Sequence, residues 1–526
     1  MKTFLLPLLI IGLCAPLVRA QNPNGFPVQA KVTGGTIEGD YDNKTGIQTY
    51  LGIPFAQPPV GDLRWQAPQP VQPWTGVKQT KSFGPRAIQK FMWPDMLFRS
   101  AGLSEDCLYL NVWTPAKRKD KDLPVLVYFH GGGHVAGGGS EYRYDGESMA
   151  KEGIVVVTVN YRLNLFGYFA HAELSAEAPY RASGNYGGLD QAAALKWVHD
   201  NIAAFGGSPS KITIAGESAG SMSTSLQMAS PLLRDYVAGA IGESGALITP
   251  TGSPISLAEA EANGAELVAK SGYTFAEFRK LSTAELFEIY NEYSPNLPYV
   301  IDGYLLPKKL PEIFAAGEQA QVPLLLGWNS AELPAAVFVR PPLTRAKFMA
   351  VAKQRFPDNV AEIEQLYPGR AGSALEQSIS DFGADNWIVF STWKWFDLHR
   401  KNSKQPVYRY LYSKLRPAND KGERAPAIGA PHACEIEYAM GNLHLVPGWQ
   451  WTEDDHKVSA TMKGFFANFI KTGNPNGEGL PEWSTAAAGD QAPPVMVIDV
   501  NSHQIKAPND DRYRFLDQHY HAVKKK

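Results

Sequence analysis

Cysteine is almost missing from this chain. Of 526 residues only Cys14, Cys107 and Cys434 carry a thiol, too few for a disulfide framework to hold the fold together. No sign of charge is in excess either: 50 Lys and Arg face 52 Asp and Glu, a formal net charge of −2. A surface without basic excess is poorly equipped to grip a polyanion, which argues against nucleic acid as a partner. Long apolar runs are lacking too. The one candidate, residues 4–18, is broken by Pro7 and Pro16 and is too short to span a membrane. No internal repeat and no Ser-, Gly- or acid-rich linker divides the chain. What is abundant is core material: 44% of residues are hydrophobic and 11% aromatic, against 19% charged. That balance excludes a disordered or low-complexity scaffold. With 48 Gly and 39 Pro the chain turns often. It reads as a large globular protein.

The N-terminus has the composition of a leader. Lys2 provides the positive start, residues 4–18 the apolar stretch, and Val18-Arg19-Ala20 a small-residue cleavage site. A signal peptide over 1–20 and one mature domain over 21–526 are expected, with secretion to the periplasm or the extracellular space. A lipid anchor at Cys14 is disfavoured by the bulky Leu13 before it and the apolar run after it. No stable membrane anchor is expected. The mature chain would keep only Cys107 and Cys434, both as free thiols.

Short β-branched, apolar runs recur between helical stretches. Strands are predicted over 123–130, 154–162, 211–215, 322–328 and 406–413. Their lack of a polar face suits strands covered on both sides. Between the second and third, residues 189–205 place Ala192, Leu195, Val198, Ile202 and Phe205 at spacings of three and four, an amphipathic helix. Strand, helix, strand in that order implies parallel crossovers and an α/β fold. Residues 258–293 read as polar helices forming a cap or lateral segment. The charged loop 117–122 and the basic tail 524–526 read as solvated surface.

Two glycine-rich motifs carry chemistry. Gly216-Glu217-Ser218-Ala219-Gly220 follows the third strand. In a Gly-x-Ser-x-Gly pentapeptide the flanking glycines permit a sharp strand-to-helix turn that leaves the serine hydroxyl exposed. Alone the pattern is weak, since random sequence of this length gives about 0.25 matches; its place between a β-rich run and a stretch of small residues gives it weight. His130-Gly131-Gly132-Gly133 follows the first strand. Its backbone N–H groups can converge on one oxygen, so Gly132, Gly133 and Ala219 are the expected donors of an oxyanion hole. A phosphate loop is the competing reading, but no Lys-Ser/Thr pair follows the glycines.

The resemblance then extends over nearly the whole mature chain. The segments Tyr50-Leu51-Gly52-Ile53-Pro54-Phe55-Ala56, Leu63-Arg64-Trp65, Ser104-Glu105-Asp106-Cys107-Leu108-Tyr109-Leu110-Asn111 and Val159-Asn160-Tyr161-Arg162 resemble those of type-B carboxylesterases, the cholinesterase and carboxylesterase group. The second-last of these is highly specific. The resemblance implies an α/β-hydrolase fold: a large, mostly parallel central sheet flanked by helices, with inserted cap or lateral segments and the site at a gorge floor. It also implies a triad in the chain order serine, acid, histidine. Ser218 is then the nucleophile. His432, in a Pro-His-Ala-Cys-Glu-Ile segment, matches the family's base, with His444 the nearest rival. Glu332 takes the acid position, although Asn-Ser-Ala-Glu-Leu replaces the family's usual Asp-Glu-Gly; Asp302 is its rival.

By the same resemblance Glu217 supports the imidazolium, Ser244 bonds behind the triad, and Arg64 and Glu105 form a structural ion pair. The departures are informative. Relatives pair the cysteine matching Cys107 with an earlier one, which this chain lacks, so the loop 83–103 is expected to be untethered. His134 stands where relatives often carry an aromatic or aliphatic residue, and Cys434 where cholinesterases have a tyrosine. For Trp93 simple packing is the better reading, so a choline-ester preference is not supported. The expected activity is hydrolysis of a small-molecule carboxylic ester without metal or cofactor, since no His, Cys and carboxylate cluster has ligand spacing. The alternatives are an amidase on the same triad and a binding protein that has lost catalysis. Natural substrate, oligomeric state and use of the sequon Asn43-Lys44-Thr45 are not legible.

Overall fold

Strands without a polar face need cover on both sides, and here they receive it. The computed structural model describes residues 28–115, 117, 122–423 and 428–522. The expected leader 1–20 with Cys14, the loop residues 118–121 and the tail 524–526 lie outside them. Eleven strands form one sheet in the order His503–Lys506, Pro494–Ile498, Val407–Tyr412, Leu324–Asn329, Gly239–Glu243, Gly207–Glu217, Leu123–Phe129, Val155–Val159, Tyr109–Thr114, Gln48–Pro54 and Asp40–Tyr41. From Pro494–Ile498 through Val155–Val159 every neighbouring pair is parallel. The outermost pairs at both ends are antiparallel. All five predicted strands are present, with 211–215 extended to Gly207–Glu217.

Alternation along the strands divides the core in two. Val125, Val127 and Phe129 face one cluster together with Leu195, Val198 and Leu226. Leu126 and Tyr128 face the other, against Val458, Met462 and Phe465 of the helix Glu453–Thr472. Burial of this much apolar side chain, at about 25 cal/mol per Å² removed from water, is the main favourable term in folding. The predicted helix over 189–205 is an α-helix Tyr186–Asn201 followed by a 3₁₀ turn Ile202–Phe205, stopped by Gly206 at φ 81°. It forms the crossover that the strand order required.

The polar stretch 258–293 is three helices, Leu257–Ser271, Phe275–Phe278 and Thr283–Tyr293. Each opens on a hydroxyl, Ser256, Thr274 or Ser282, that accepts from the amide three residues on. The expected ion pair fastens this segment to the body of the molecule. Arg64 donates from Nε and Nη2 to Glu105 at 2.7 and 2.6 Å, and from Nη1 to the carbonyls of Arg279 and Leu281.

Candidate active site

The strand Gly207–Glu217 ends at Ser218, which adopts φ 56°, ψ −120° directly before the helix Ala219–Ala229. Such a backbone costs a non-glycine residue about 1–3 kcal/mol. It is held by the Ser218 amide donating to the Glu243 carbonyl at 2.8 Å and the Met222 amide donating to the Ser218 carbonyl at 2.9 Å. The two glycines are needed for close approach. A Cβ on Gly220 would lie 2.0 Å from the Phe129 carbonyl oxygen, and one on Gly216 would lie 2.4 Å from the Gly220 backbone. Helix and strand therefore touch through backbone, and the serine is left on the outside of the bend.

His432 and Glu332 line the same cavity as that serine, carried on the loops after the strands Leu324–Asn329 and Val407–Tyr412. Nδ1 of His432 is 2.7 Å from Glu332 Oε2. The other oxygen, Oε1, accepts from the Ser244 hydroxyl and the Asn329 amide, both at 2.7 Å. The missing Asp and Gly do not loosen the turn. Ser330 and Ala331 donate from their amides to the carbonyls of Tyr412 and Ala430, and the Ser330 hydroxyl accepts from the Ala430 amide. Asp302 lies elsewhere, accepting from the Tyr304 and Leu306 amides and from Asn185. His444 is exposed on a separate 3₁₀ turn, Leu443–Leu445.

Glu217 Oε1 stands 3.1 Å from His432 Nε2 but out of line for a hydrogen bond, which leaves that oxygen without a hydrogen-bond partner. Burial opposes charge on His432, but Glu217 and Glu332 outweigh it and raise the imidazole to about 9. Burial pushes Glu217 up to about 8 against the pull of His432. Behind them Glu435 is pushed up to about 7, by burial and then by Glu332.

Gly132 and Gly133 carry φ of 104° and 62°, and a Cβ on Gly132 would strike the Ala136 carbonyl oxygen at 2.3 Å. Both line the same cavity as Ser218, His432 and Glu332, a space of about 410 Å³. Ala219 opens the helix that follows Ser218, so its N–H is among those that lack an intrahelical acceptor. Trp93, Met96, Tyr144, Leu333 and Trp387 supply apolar wall. Trp93 corrects an expectation: it is not packed away but 40% exposed at this wall. The loop 83–103 has no disulfide, yet it is tied down. Arg86 binds Ser100, Gln89 binds the Gly137 backbone, Arg99 pairs with Asp145 and Asp95 with Arg143. Its tip, Phe91 to Asp95, is exposed throughout, while Ala87, Gln89 and Met96 are buried. Cys107 and Cys434 are buried and unpaired, as expected.

Three participants had no assigned role in the sequence reading. Trp387 sets its ring against His432 at 4.8 Å and 64°, from a π-helical turn Asp385–Val389 whose presence no local residue pattern announces. Asn329 donates to Glu435 at 2.5 Å and to the Pro431 carbonyl at 2.8 Å, joining the acid loop to the histidine loop. Its place as the last strand residue before the acid was the available signal, as was the spacing of Glu435 three residues after His432. Among the described residues no group of three His, Cys, Asp or Glu is arranged to hold a metal ion, and no helix is long and apolar enough to cross a membrane.

A parallel sheet with antiparallel margins, a serine on a strained strand-to-helix bend and a cavity above it define an α/β-hydrolase. A solved structure of PNB esterase superposes with a TM-score of 0.78 at 28% identity, over 92% of this chain and 98% of that one. Residues 27–516 match the carboxylesterase family, and the chain belongs to it as a carboxylic ester hydrolase. Fumonisin B1 esterase of Sphingopyxis macrogoltabida is 34% identical over 454 residues, 82% of this chain and 78% of that protein. Acylcarnitine hydrolase of Mus musculus is 34% identical over 509 residues, 90% of this chain and 88% of that protein.

Proposed function

We propose that this chain is an exported serine esterase that cleaves small carboxylic esters through an acyl-enzyme on Ser218. The observation that carries the reading is the Glu332–His432 hydrogen bond of 2.7 Å lining the same cavity as the strained serine. Ser218 Oγ attacks the ester carbonyl while His432 Nε2 takes its proton. The new oxyanion is bound by the N–H groups of Gly132, Gly133 and Ala219. Glu332 orients the imidazole through Nδ1, and Glu217 beside Nε2 stabilises the imidazolium. Collapse expels the alcohol, protonated by His432. Water, deprotonated by the same ring, then releases the carboxylate and returns the proton to Ser218. A cavity of about 410 Å³ admits a small-molecule ester. Export, and one domain over 21–526, rest on the composition of the chain and its leader.

Replacing Ser218 by Ala removes one hydroxyl without touching the turn. It is expected to lower p-nitrophenyl ester turnover by about 10⁴-fold or more at an unchanged melting temperature. Turnover close to that of the unaltered enzyme would overturn the serine mechanism.

A further inference from the structure

We infer that His134 is a positioning residue that locks the two halves of the oxyanion hole together, by donating a hydrogen bond from Nε2 to Ser223 on the nucleophile helix. The inference goes beyond the esterase reading and rests on its assignment of Gly132, Gly133 and Ala219 as donors. Those donors come from two different elements: the glycine loop after the strand Leu123–Phe129, and the start of the helix Ala219–Ala229. An oxyanion hole works only if its N–H groups are fixed relative to one another before the charge develops. Something must hold loop to helix.

His134 is built to do this. It continues the left-handed run of the loop, with φ 58° after 104° at Gly132 and 62° at Gly133. Its carbonyl accepts from the Asn164 amide at 2.8 Å, which fixes the backbone. The side chain is buried, with Nε2 3.2 Å from Ser223 Oγ. The direction of that bond follows from counting protons. Ser223 has one hydroxyl hydrogen and donates it to the Ala219 carbonyl at 2.9 Å. It already accepts from Gln191 Nε2 at 2.8 Å. Ser223 then has one lone pair left, which His134 Nε2 fills as donor, while the Tyr299 hydroxyl 3.4 Å from the same nitrogen gives its proton to Tyr168. Burial also keeps this imidazole neutral, lowering it to about 3.

The ring is itself caged. Tyr299 stands perpendicular at 5.1 Å and Tyr168 lies at 5.4 Å, the two hydroxyls 3.2 Å apart. His134 is not among the residues that line the catalytic cavity, so it is not placed to exchange protons with substrate. What it reaches, through Ser223, is the carbonyl of the residue that carries a donor, one peptide plane beyond that N–H. The chain His134 to Ser223 to the Ala219 carbonyl joins the loop bearing Gly132 and Gly133 to the residue whose N–H completes the hole. A phenyl ring would fill the space and leave that chain without its first link.

The test compares His134→Phe, His134→Gln and Ser223→Ala in the full-length enzyme. The readouts are kcat and KM for p-nitrophenyl butyrate, inhibition by an alkyl trifluoromethyl ketone, and melting temperature. The ketone becomes a tetrahedral oxyanion on the serine and so reports the hole directly. His134→Phe and Ser223→Ala are each expected to lower kcat by about 10- to 100-fold and weaken the ketone in parallel. KM is expected to stay within about threefold, because the ground-state ester leans little on these donors. His134→Gln, which can donate from nearly the same point, is expected to recover most of the loss. The Phe and Ala changes combined are expected to cost little more than either alone. Unchanged kcat and ketone affinity in His134→Phe would overturn the inference. So would equal losses in Phe and Gln variants tracking a lowered melting temperature, the pattern of simple packing. If His134→Phe does not fold, Ser223→Ala and His134→Gln decide the matter by the same criteria. An unaltered enzyme that the ketone fails to inhibit would overturn the esterase reading itself, and the inference with it.

Discussion

Three hydrogen bonds converge on the carboxylate of Glu332, two on one oxygen and one on the other. Ser244 and the Asn329 amide hold one oxygen, which leaves the other aimed at His432. An anion fixed in this way can orient the ring and stabilise its charged form. Glu332→Gln is expected to slow acylation by about 10²-fold or more, while Asp302→Asn, which loosens a turn, is expected mainly to cost stability. Single-turnover acylation and thermal melting of both variants separate the two; normal acylation in Glu332→Gln would contradict the assignment. The pH dependence belongs to the same ring. His432 is a base only when neutral, and its raised pKa keeps it protonated above the ordinary 6.5. Acylation is therefore expected to climb with pH through a midpoint above 6.5, and Glu217→Gln to move that midpoint down. A pH–rate profile that does not move with Glu217→Gln would show that this carboxylate is not felt at the base. Of these groups Ser218 was called from its own motif, and Glu332 and His432 from the family resemblance with its chain order. A role for Glu217 beside the imidazole came only with the resemblance, since its approach to Nε2 depends on how two loops far apart in sequence fold over one another.

At the level of elements, legibility followed local chemistry. Val155–Val159 is a run of β-branched residues and announces a buried strand. Gly239–Glu243 pairs on both sides near the centre of the sheet, yet carries two glycines in five residues and has no strand signature of its own. Its neighbours impose the conformation. The strand 211–215 likewise grows to Gly207–Glu217 because Leu123–Phe129 offers pairing along its length. The glycine spacing around Ser218 was readable as a turn, but the contact that demands it, Gly220 against Phe129, is tertiary. Arg64 and Glu105 act at this scale too. Their bidentate pair, joined by the Thr283 hydroxyl at 2.5 Å and by the Arg279 and Leu281 carbonyls of the turn between two lateral helices, is buried on both sides. Glu105→Ala strands a guanidinium away from water and is expected to destabilise the fold by about 3–5 kcal/mol. Denaturant unfolding measures this, and a loss below about 1 kcal/mol would mean that the lateral segment does not depend on the pair.

Across the whole molecule, the order of strands and helices implied parallel crossovers and an α/β fold, and the family resemblance supplied the mostly parallel central sheet. The antiparallel margins were less legible: His503–Lys506 is largely exposed and Asp40–Tyr41 only two residues long, so neither shows a core-facing pattern. The scarcity of cysteine has its counterpart in the loop 83–103, where guanidinium and amide bonds occupy the place of a covalent tie. All of this serves to hold one hydroxyl at the floor of one cavity. The most direct test is the intact mass of the purified enzyme after reaction with a fluorophosphonate, with peptide mapping of the adduct. One adduct per chain is expected, on Ser218, formed in step with loss of ester hydrolysis. Complete inactivation with Ser218 unmodified, or full activity with Ser218 modified, would contradict it.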